Sequence, residues 1–269
     1  MCFNAKNKRV NLGDATVDYI AFGKGKNNLI IIPGVGDGLK TVKGMAVVFS
    51  VMYKKFAKDF KVYVFSRRND LPRSFSTFDM AEDISKTMDI LCIKKASVVG
   101  VSQGGMIAQH LAINHPEKIN KLVLAITSSK PNPILTDSIM TWIKLCQEDK
   151  FKEMMVDSAK RSYTDNHFKK MVKLYKTAST LIKPKSYDRY IIQCEACLSH
   201  NAYDMLDKIV CPTFIIGAKE DNVLGIIGSE EIHEKIIGSK LYIIEGYSHG
   251  VYEESKEFNL CIYNYLIKE

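Results

Sequence analysis

The sequence predicts an α/β protein built on a mostly parallel central sheet with helices on both faces. Short apolar runs without polar alternation, such as Leu29-Ile30-Ile31-Ile32 and Leu122-Val123-Leu124-Ala125-Ile126, recur along the chain. Strands buried on both faces require such runs. Segments with helical spacing of apolar residues separate them, which is the rhythm of a parallel sheet with crossover helices. The alternation breaks once, from about Pro131 to Leu206, where helical periodicity runs on without a convincing strand.

Taken in order, Tyr19-Ile20-Ala21-Phe22 reads as an early strand closed by Gly23-Lys24-Gly25, and Leu29–Ile32 as the next, ended by Pro33-Gly34. Met45, Val48, Met52 and Phe56 recur at helical spacing, and Val62-Tyr63-Val64-Phe65 is a strand. Asp79 to Leu91 reads as a helix with Thr77 as its cap. Ala96-Ser97-Val98-Val99 is a strand, and Gln103 to Asn114 a helix stopped by His115-Pro116. The strand Leu122–Ile126 follows. Within the long helical stretch, Ile139, Trp142, Ile143 and Cys146 form one stripe, and Tyr187, Tyr190, Ile191, Cys194 and Leu198 another. The rhythm resumes with a strand at Thr213–Ile216, a helix over Ile227–Ile237, a strand at Leu241–Ile244 and a last helix striped by Phe258, Ile262 and Leu266. The expected organisation is a core of residues 1–130 and 207–269, with residues 131–206 as a helical cap. Ligands of such sheets gather at the carboxyl ends of the strands, so a block inserted between two strands lies over that edge as a lid.

Composition narrows the function classes. A chain of 269 residues with 46% hydrophobic and 25% charged residues can bury its own core, which excludes a small stapled scaffold. Only 16 Gly and 7 Pro argue against low complexity. The net charge is +8, but no run of five like charges occurs, so a solvated Lys-rich surface is expected and no nucleic-acid partner. Cap residues Lys144, Lys150, Lys152, Lys160, Arg161 and Lys169 are diluted by Glu148, Asp149, Glu153 and Asp157, which favours a solvated lid over a membrane-binding one. The seven Cys have no regular spacing; Cys194 and Cys197 form a CxxC within a helical pattern and lack a second metal pair, so no metal is expected. The start Met1-Cys2-Phe3-Asn4 lacks a signal-peptide apolar region, and no apolar stretch reaches the ~18 residues that span a bilayer. A cytoplasmic setting without stable membrane insertion is the expectation.

The chemistry centres on Gly100-Val101-Ser102-Gln103-Gly104-Gly105, a G-x-S-x-G between a strand and a helix. The turn is sharp, its glycines remove colliding side chains, and it lifts Ser102 to a helix N-terminus that favours an anion. A serine hydroxyl needs a base. Of six His, only His249 directly follows a strand, in Glu245-Gly246-Tyr247-Ser248-His249-Gly250; His110 is expected on the outer face of its helix. Asp221, with Glu220 as its neighbouring rival, lies in Gly217-Ala218-Lys219-Glu220-Asp221-Asn222-Val223 after the strand Thr213–Ile216 and is the candidate acid that orients the base. Oxyanion donors are expected from the Gln103 N–H and from Pro33-Gly34-Val35-Gly36-Asp37-Gly38, with Val35 N–H chosen and Gly34 and Gly36 close rivals. Gly34, Trp142, Tyr187 and Tyr190 are the candidate substrate-binding residues.

The order Ser102, Asp221, His249, together with Asp79-Met80-Ala81-Glu82-Asp83-Ile84 and His115-Pro116-Glu117-Lys118-Ile119, resembles the α/β-hydrolase superfamily over nearly the whole chain. The resemblance implies the α/β-hydrolase fold with a helical cap inserted after the sixth strand, and hydrolysis without metal or organic cofactor. Two segments depart from the family pattern. Pro33-Gly34 stands where many members have His-Gly, and Phe65-Ser66-Arg67-Arg68-Asn69 keeps Arg67 but loses the glycines of the usual Asp-x-Arg-Gly stretch. A serine nucleophile separates the chain from haloalkane dehalogenases and epoxide hydrolases, whose elbow carries Asp. The expected function is hydrolysis of a carboxylic ester or thioester of a small or lipid-like acyl substrate. Acyltransfer, C–C hydrolysis, aminopeptidase chemistry with Glu195 or Asp204 as the acidic pocket group, and a non-enzymatic binder on the same fold stay open.

Overall fold

A computed structural model describes residues 3–181 and 183–268. Eight strands form one sheet: β1 (Lys6–Asn11), β2 (Thr16–Phe22), β3 (Asn27–Ile32), β4 (Phe60–Arg68), β5 (Ala96–Val101), β6 (Ile119–Ala125), β7 (Thr213–Ala218) and β8 (Lys240–Ile244). The helices are α1 (Ala46–Met52), α2 (Thr77–Ile90), α3 (Gln103–Asn114), α4 (Pro133–Gln147), α5 (Phe151–Ser162), α6 (Asp165–Leu181), α7 (Asp188–Leu198), α8 (Ile227–Lys235), α9 (Val251–Glu254) and α10 (Lys256–Ile267). The sheet order is β1-β2-β4-β3-β5-β6-β7-β8; β2 pairs antiparallel with both β1 and β4, and every other pairing is parallel.

From β3 the chain crosses first to β4 on one side and then to β5 on the other. Their neighbouring carboxyl ends therefore diverge into a crevice, the place where such sheets bind ligands. Period-two alternation divides the buried side chains. Ile30 and Ile32 face α2, α3 and α8, packed with Met80, Ile107 and Ile232. Leu29 and Ile31 face the other layer, packed with Phe56, Phe258 and Ile262. Each such side chain contributes about 1.5–3 kcal/mol by leaving water, so the parallel centre of the sheet is rigid.

Between β6 and β7 the chain forms α4 to α7, and a third apolar cluster joins them to the sheet. Trp142, Phe151, Met154, Tyr190 and Cys194 pack with Met106 of α3 and with Val223 and Leu224 after β7; Val35 and Leu39 after β3 border the cluster. All these partners lie at carboxyl ends of strands, so the helical segment covers that edge. Ala196, Ala202 and Leu206 pack instead in the core beneath α2 and α3. No helix among the described residues is long and apolar enough to cross a membrane.

Several local expectations need correction. Strand β1 gave no apolar signal because it is a charged edge strand, KNKRVN, with only Val10 buried. The helix expected from Asp79 starts at Thr77, and its cap is Ser76, not Thr77: Ser76 Oγ accepts from Asp79 N–H while the Asp79 carboxylate accepts from Ser76 N–H. Helix α1 buries Ala46 and Ser50, whereas Val48 of the expected stripe is exposed. His110 is buried, not outward: it meets Phe78 and His200 edge-on, with ring centroids 5.9 Å and 5.1 Å away.

Candidate active site

Strand β5 ends at Val101, and Ser102 turns the chain straight into α3 at φ +56° and ψ −122°, a conformation that L side chains rarely adopt. Hydrogen bonds hold the turn. Ser102 N–H donates to Ala125 O at 2.9 Å, and Ser102 O accepts from Gly105 N–H at 2.8 Å and from Thr127 Oγ1 at 2.7 Å. Side chains are excluded nearby because a Cβ on Gly104 would lie 1.9 Å from Ile32 O, and one on Gly105 would lie 2.5 Å from Thr127 Cβ.

His249 follows β8 and reaches across the carboxyl edge. Its Nε2 lies 3.0 Å from Ser102 Oγ and its Nδ1 lies 2.8 Å from Asp221 Oδ2. The other carboxylate oxygen, Asp221 Oδ1, accepts from the N–H groups of Val223 at 2.8 Å and Leu224 at 2.9 Å. Burial alone would raise the Asp221 carboxyl. The facing imidazole and the two amides outweigh burial and hold it below the usual carboxylate range. Glu220 is exposed, so Asp221 rather than Glu220 meets the imidazole. The arrangement can take a proton from Ser102 onto Nε2 and stabilise the imidazolium from behind.

The loop after β3 forms a 3-10 turn over Val35–Gly38 and lies against the serine. A Cβ on Gly34 would sit 3.2 Å from Ser102 Cβ and 3.6 Å from its Oγ. Trp142 is buried and its Nε1–H donates to Asp157 at 2.9 Å. Tyr190 is buried within the helical cluster, and burial pushes its hydroxyl well above the usual range. Tyr187 is partly exposed and donates its hydroxyl to Asp149 at 3.1 Å. None of these three aromatic residues hydrogen-bonds to Ser102 or His249. Glu195 and Asp204 are exposed and supply no acidic pocket group. Burial holds the thiols of Cys194 and Cys197 above their usual range, Cys197 at about 12, which keeps both protonated and unreactive. No group of three or more His, Cys, Asp or Glu suited to a metal ion occurs among the described residues.

Two sets of contacts had no signal in local spacing. Ser248 Oγ donates to Arg161 O at 2.6 Å, Gly250 N–H donates to Ser162 O at 2.6 Å, and Thr164 N–H and Oγ1 bond Glu254 at 3.0 Å and 2.6 Å. The α5–α6 corner thus clasps the loop that carries His249. On the other side, Arg189 of α7 donates to Asp37 Oδ2 at 2.6 Å, and Gln103 Nε2 donates to Gln193 O at 2.6 Å. Asp37 is the one acid of the loop after β3, and that composition was the only hint of a partner.

Comparison with known proteins places these features in a wider set. A family model described as the alpha/beta hydrolase fold matches residues 27–256. A 3-oxoadipate enol-lactonase of Acinetobacter baylyi is 23% identical over 253 residues, covering 93% of this chain and 92% of that protein. The human serine hydrolase BPHL is 23% identical over 274 residues, covering 96% and 85%. An alpha/beta hydrolase enzyme from a Medee basin deep-sea metagenome superposes with a TM-score of 0.87 at 20% identity, covering 97% of this chain and 98% of that one. The enol-lactonase of Burkholderia xenovorans superposes with a TM-score of 0.84 at 16% identity, covering 97% and 100%.

Proposed function

The chain belongs to the alpha/beta hydrolase fold family, and from that premise we propose that it is a serine hydrolase cleaving a carboxylic ester or thioester. The observation that carries the reading is the unbroken line of contacts from Ser102 through His249 to Asp221, at 3.0 Å and 2.8 Å. The relatives are hydrolases, and an enol-lactone is itself a cyclic ester, which supports ester chemistry.

Ser102 Oγ attacks the acyl carbon as its proton passes to His249 Nε2. The carbonyl π pair moves onto oxygen, where the N–H groups of Val35 and Gln103 receive the charge. Collapse expels the alcohol or thiol with the proton from His249. Water then attacks the acyl-enzyme with His249 as base, and the acid leaves as Ser102 recovers its proton. Asp221 keeps Nδ1 protonated throughout. Residues 131–206 act as the lid, and Gly34, Trp142, Tyr187 and Tyr190 are its proposed substrate wall; for Trp142 and Tyr190 this means shaping the pocket from behind, since both are buried. The substrate is a small acyl compound.

Labelling with a fluorophosphonate probe tests the reading, with wild type beside Ser102→Ala and His249→Ala and p-nitrophenyl esters of increasing acyl length as substrates. Both variants are expected to lose label and turnover while remaining folded. Turnover retained in Ser102→Ala would overturn the reading.

A further inference from the structure

Arg67 is a buried cation near the end of β4, only 3% exposed. β4 lies beside β3, and β3 beside β5. The Arg67 side chain therefore crosses the end of β3, passing the loop Pro33–Gly38, to reach the first residue after Ser102. All its side-chain hydrogen bonds come from one nitrogen. Nη2 donates to Pro33 O, approaches Gly34 O at 3.5 Å, and donates to Gln103 Oε1 at 2.9 Å. Nε and Nη1 are buried and meet no acceptor among the described residues. Burial pushes the guanidinium down to about 10, although Asp37 pulls the other way. A cation held at such a cost, and bonded through one nitrogen, is a poor device for stability alone.

Its contacts explain its presence. In a trans peptide the C=O and N–H point in opposite directions. Turning Pro33 O onto Nη2 turns Gly34 N–H away from the guanidinium. Gly34 O faces Nη2 and also accepts from Asp37 N–H at 3.2 Å, which turns Val35 N–H the same way. Asp37 in turn accepts from Arg67 N–H at 3.1 Å, so the loop is tied to β4 at both ends. The same nitrogen holds the side chain of Gln103, whose Nε2 is anchored on Gln193 O of α7.

We infer that Arg67 is a positioning residue that holds the two halves of the oxyanion hole, the loop after β3 and the start of α3, in register through a single guanidinium nitrogen. The inference rests on the serine-hydrolase reading above. Arg67 touches no reacting atom; it acts through the Gly34 and Val35 amides. Its loss therefore weakens the bound tetrahedral species more than the bound substrate.

The test compares wild type with Arg67→Met and Arg67→Lys. Thermal unfolding checks the fold, and kcat and KM are measured for a p-nitrophenyl ester. Affinity is measured for an alkyl trifluoromethyl ketone, whose carbonyl carbon takes up Ser102 Oγ to leave an oxyanion, and for the matching methyl ketone, which binds without adding. Arg67→Met is expected to lower kcat by about 100-fold, the size typical of a lost oxyanion donor, with KM nearly unchanged. The trifluoromethyl ketone weakens by a similar factor and the methyl ketone does not. Arg67→Lys recovers part of both losses, because one nitrogen makes every contact and an ammonium can replace one nitrogen.

Wild-type kcat in folded Arg67→Met overturns the inference, as does equal weakening of both ketones with a lowered Tm. If Arg67→Met fails to fold, Arg67→Lys and Gln103→Met decide by the same split between the ketones. Wild type that hydrolyses no ester and adds to no ketone overturns the serine-hydrolase reading and the inference with it. An active wild type with an indifferent Arg67→Met overturns the inference alone.

Discussion

Ser102 combines two demands in one residue. It must present a hydroxyl to His249, and it must hold φ +56° to do so. Such a conformation costs an L residue about 1–3 kcal/mol, which glycine avoids. Ser102→Gly is therefore expected to raise stability by about 1 kcal/mol while abolishing turnover; urea unfolding beside an ester assay checks both. A loss of stability would show that the turn stores no strain. Asp221 makes a different demand. Its two oxygens are fully used by His249 and by the amides of Val223 and Leu224. Asp221→Asn keeps the shape and the buried volume but presents an N–H to Nδ1 or rotates away, so kcat is expected to fall by about 10⁴ with little change in Tm. Ser102, His249 and Asp221 could be picked out in the sequence because each lies in the turn or loop after a strand of a parallel sheet, where topology brings loop residues together. The choice between Glu220 and Asp221 was not settled by position, since both lie in the turn after β7, where no strand alternation fixes which side chain faces the imidazole.

At the scale of elements, helix α3 approaches β3 so closely that only glycine fits. A Cβ on Gly104 would overlap Ile32 O and Ile32 C, which are backbone atoms of a central strand and cannot yield. Gly104→Ala is expected to destabilise the fold by about 3 kcal/mol or more, read by a lowered urea midpoint. The seating of α7 depends on charge rather than on close approach. Asp37 is fully buried and Arg189 is its cationic partner at 2.6 Å. Arg189→Met removes the ion-pair partner of that buried carboxylate, leaving it the Arg67 N–H, and is expected to cost about 3 kcal/mol, while Asp37→Asn with Arg189→Met costs less than the two single changes together. Additive losses in denaturant unfolding would rule out direct coupling. Long helices and central strands were readable because their apolar spacing is local. Strand β1 was missed and the buried face of α1 misplaced for the opposite reason: one is a charged edge, and the other leaves Val47, Val48 and Val51 exposed.

Across the whole molecule, the core beneath α2 and α3 encloses a pair of histidines. His200 Nδ1 meets Thr77 Oγ1 at 2.9 Å, and its ring lies edge-on to His110. Burial holds both rings below their ordinary range, His200 at about 3. The unfolded chain therefore binds the more protons between that value and 6.5. Stability is fully present above about pH 6.5 and is lost as the pH falls toward 3, by up to about 1.4 kcal/mol per unit for His200. Urea midpoints at about pH 7.5 and pH 5 are expected to show this loss, and His200→Gln is expected to flatten it. An equally steep curve in the variant would assign the loss to other groups.

Sequence alone was enough to read the α/β alternation, the long helical segment between two strands, the tight turn at Ser102 and the placement of Ser102, His249 and Asp221 after strands of the sheet. Each of these follows from periodicity, turn chemistry or sheet topology, which operate over a few residues or over the order of elements. That Arg67 reaches Gln103, that Arg189 meets Asp37 and that the α5–α6 corner clasps the His249 loop became visible in the folded chain alone. Those contacts join residues 36, 152 and about 90 positions apart. No local pattern encodes such separations; they arise when apolar burial stacks the helical segment on the carboxyl edge and brings its polar groups within reach of those of the loops there.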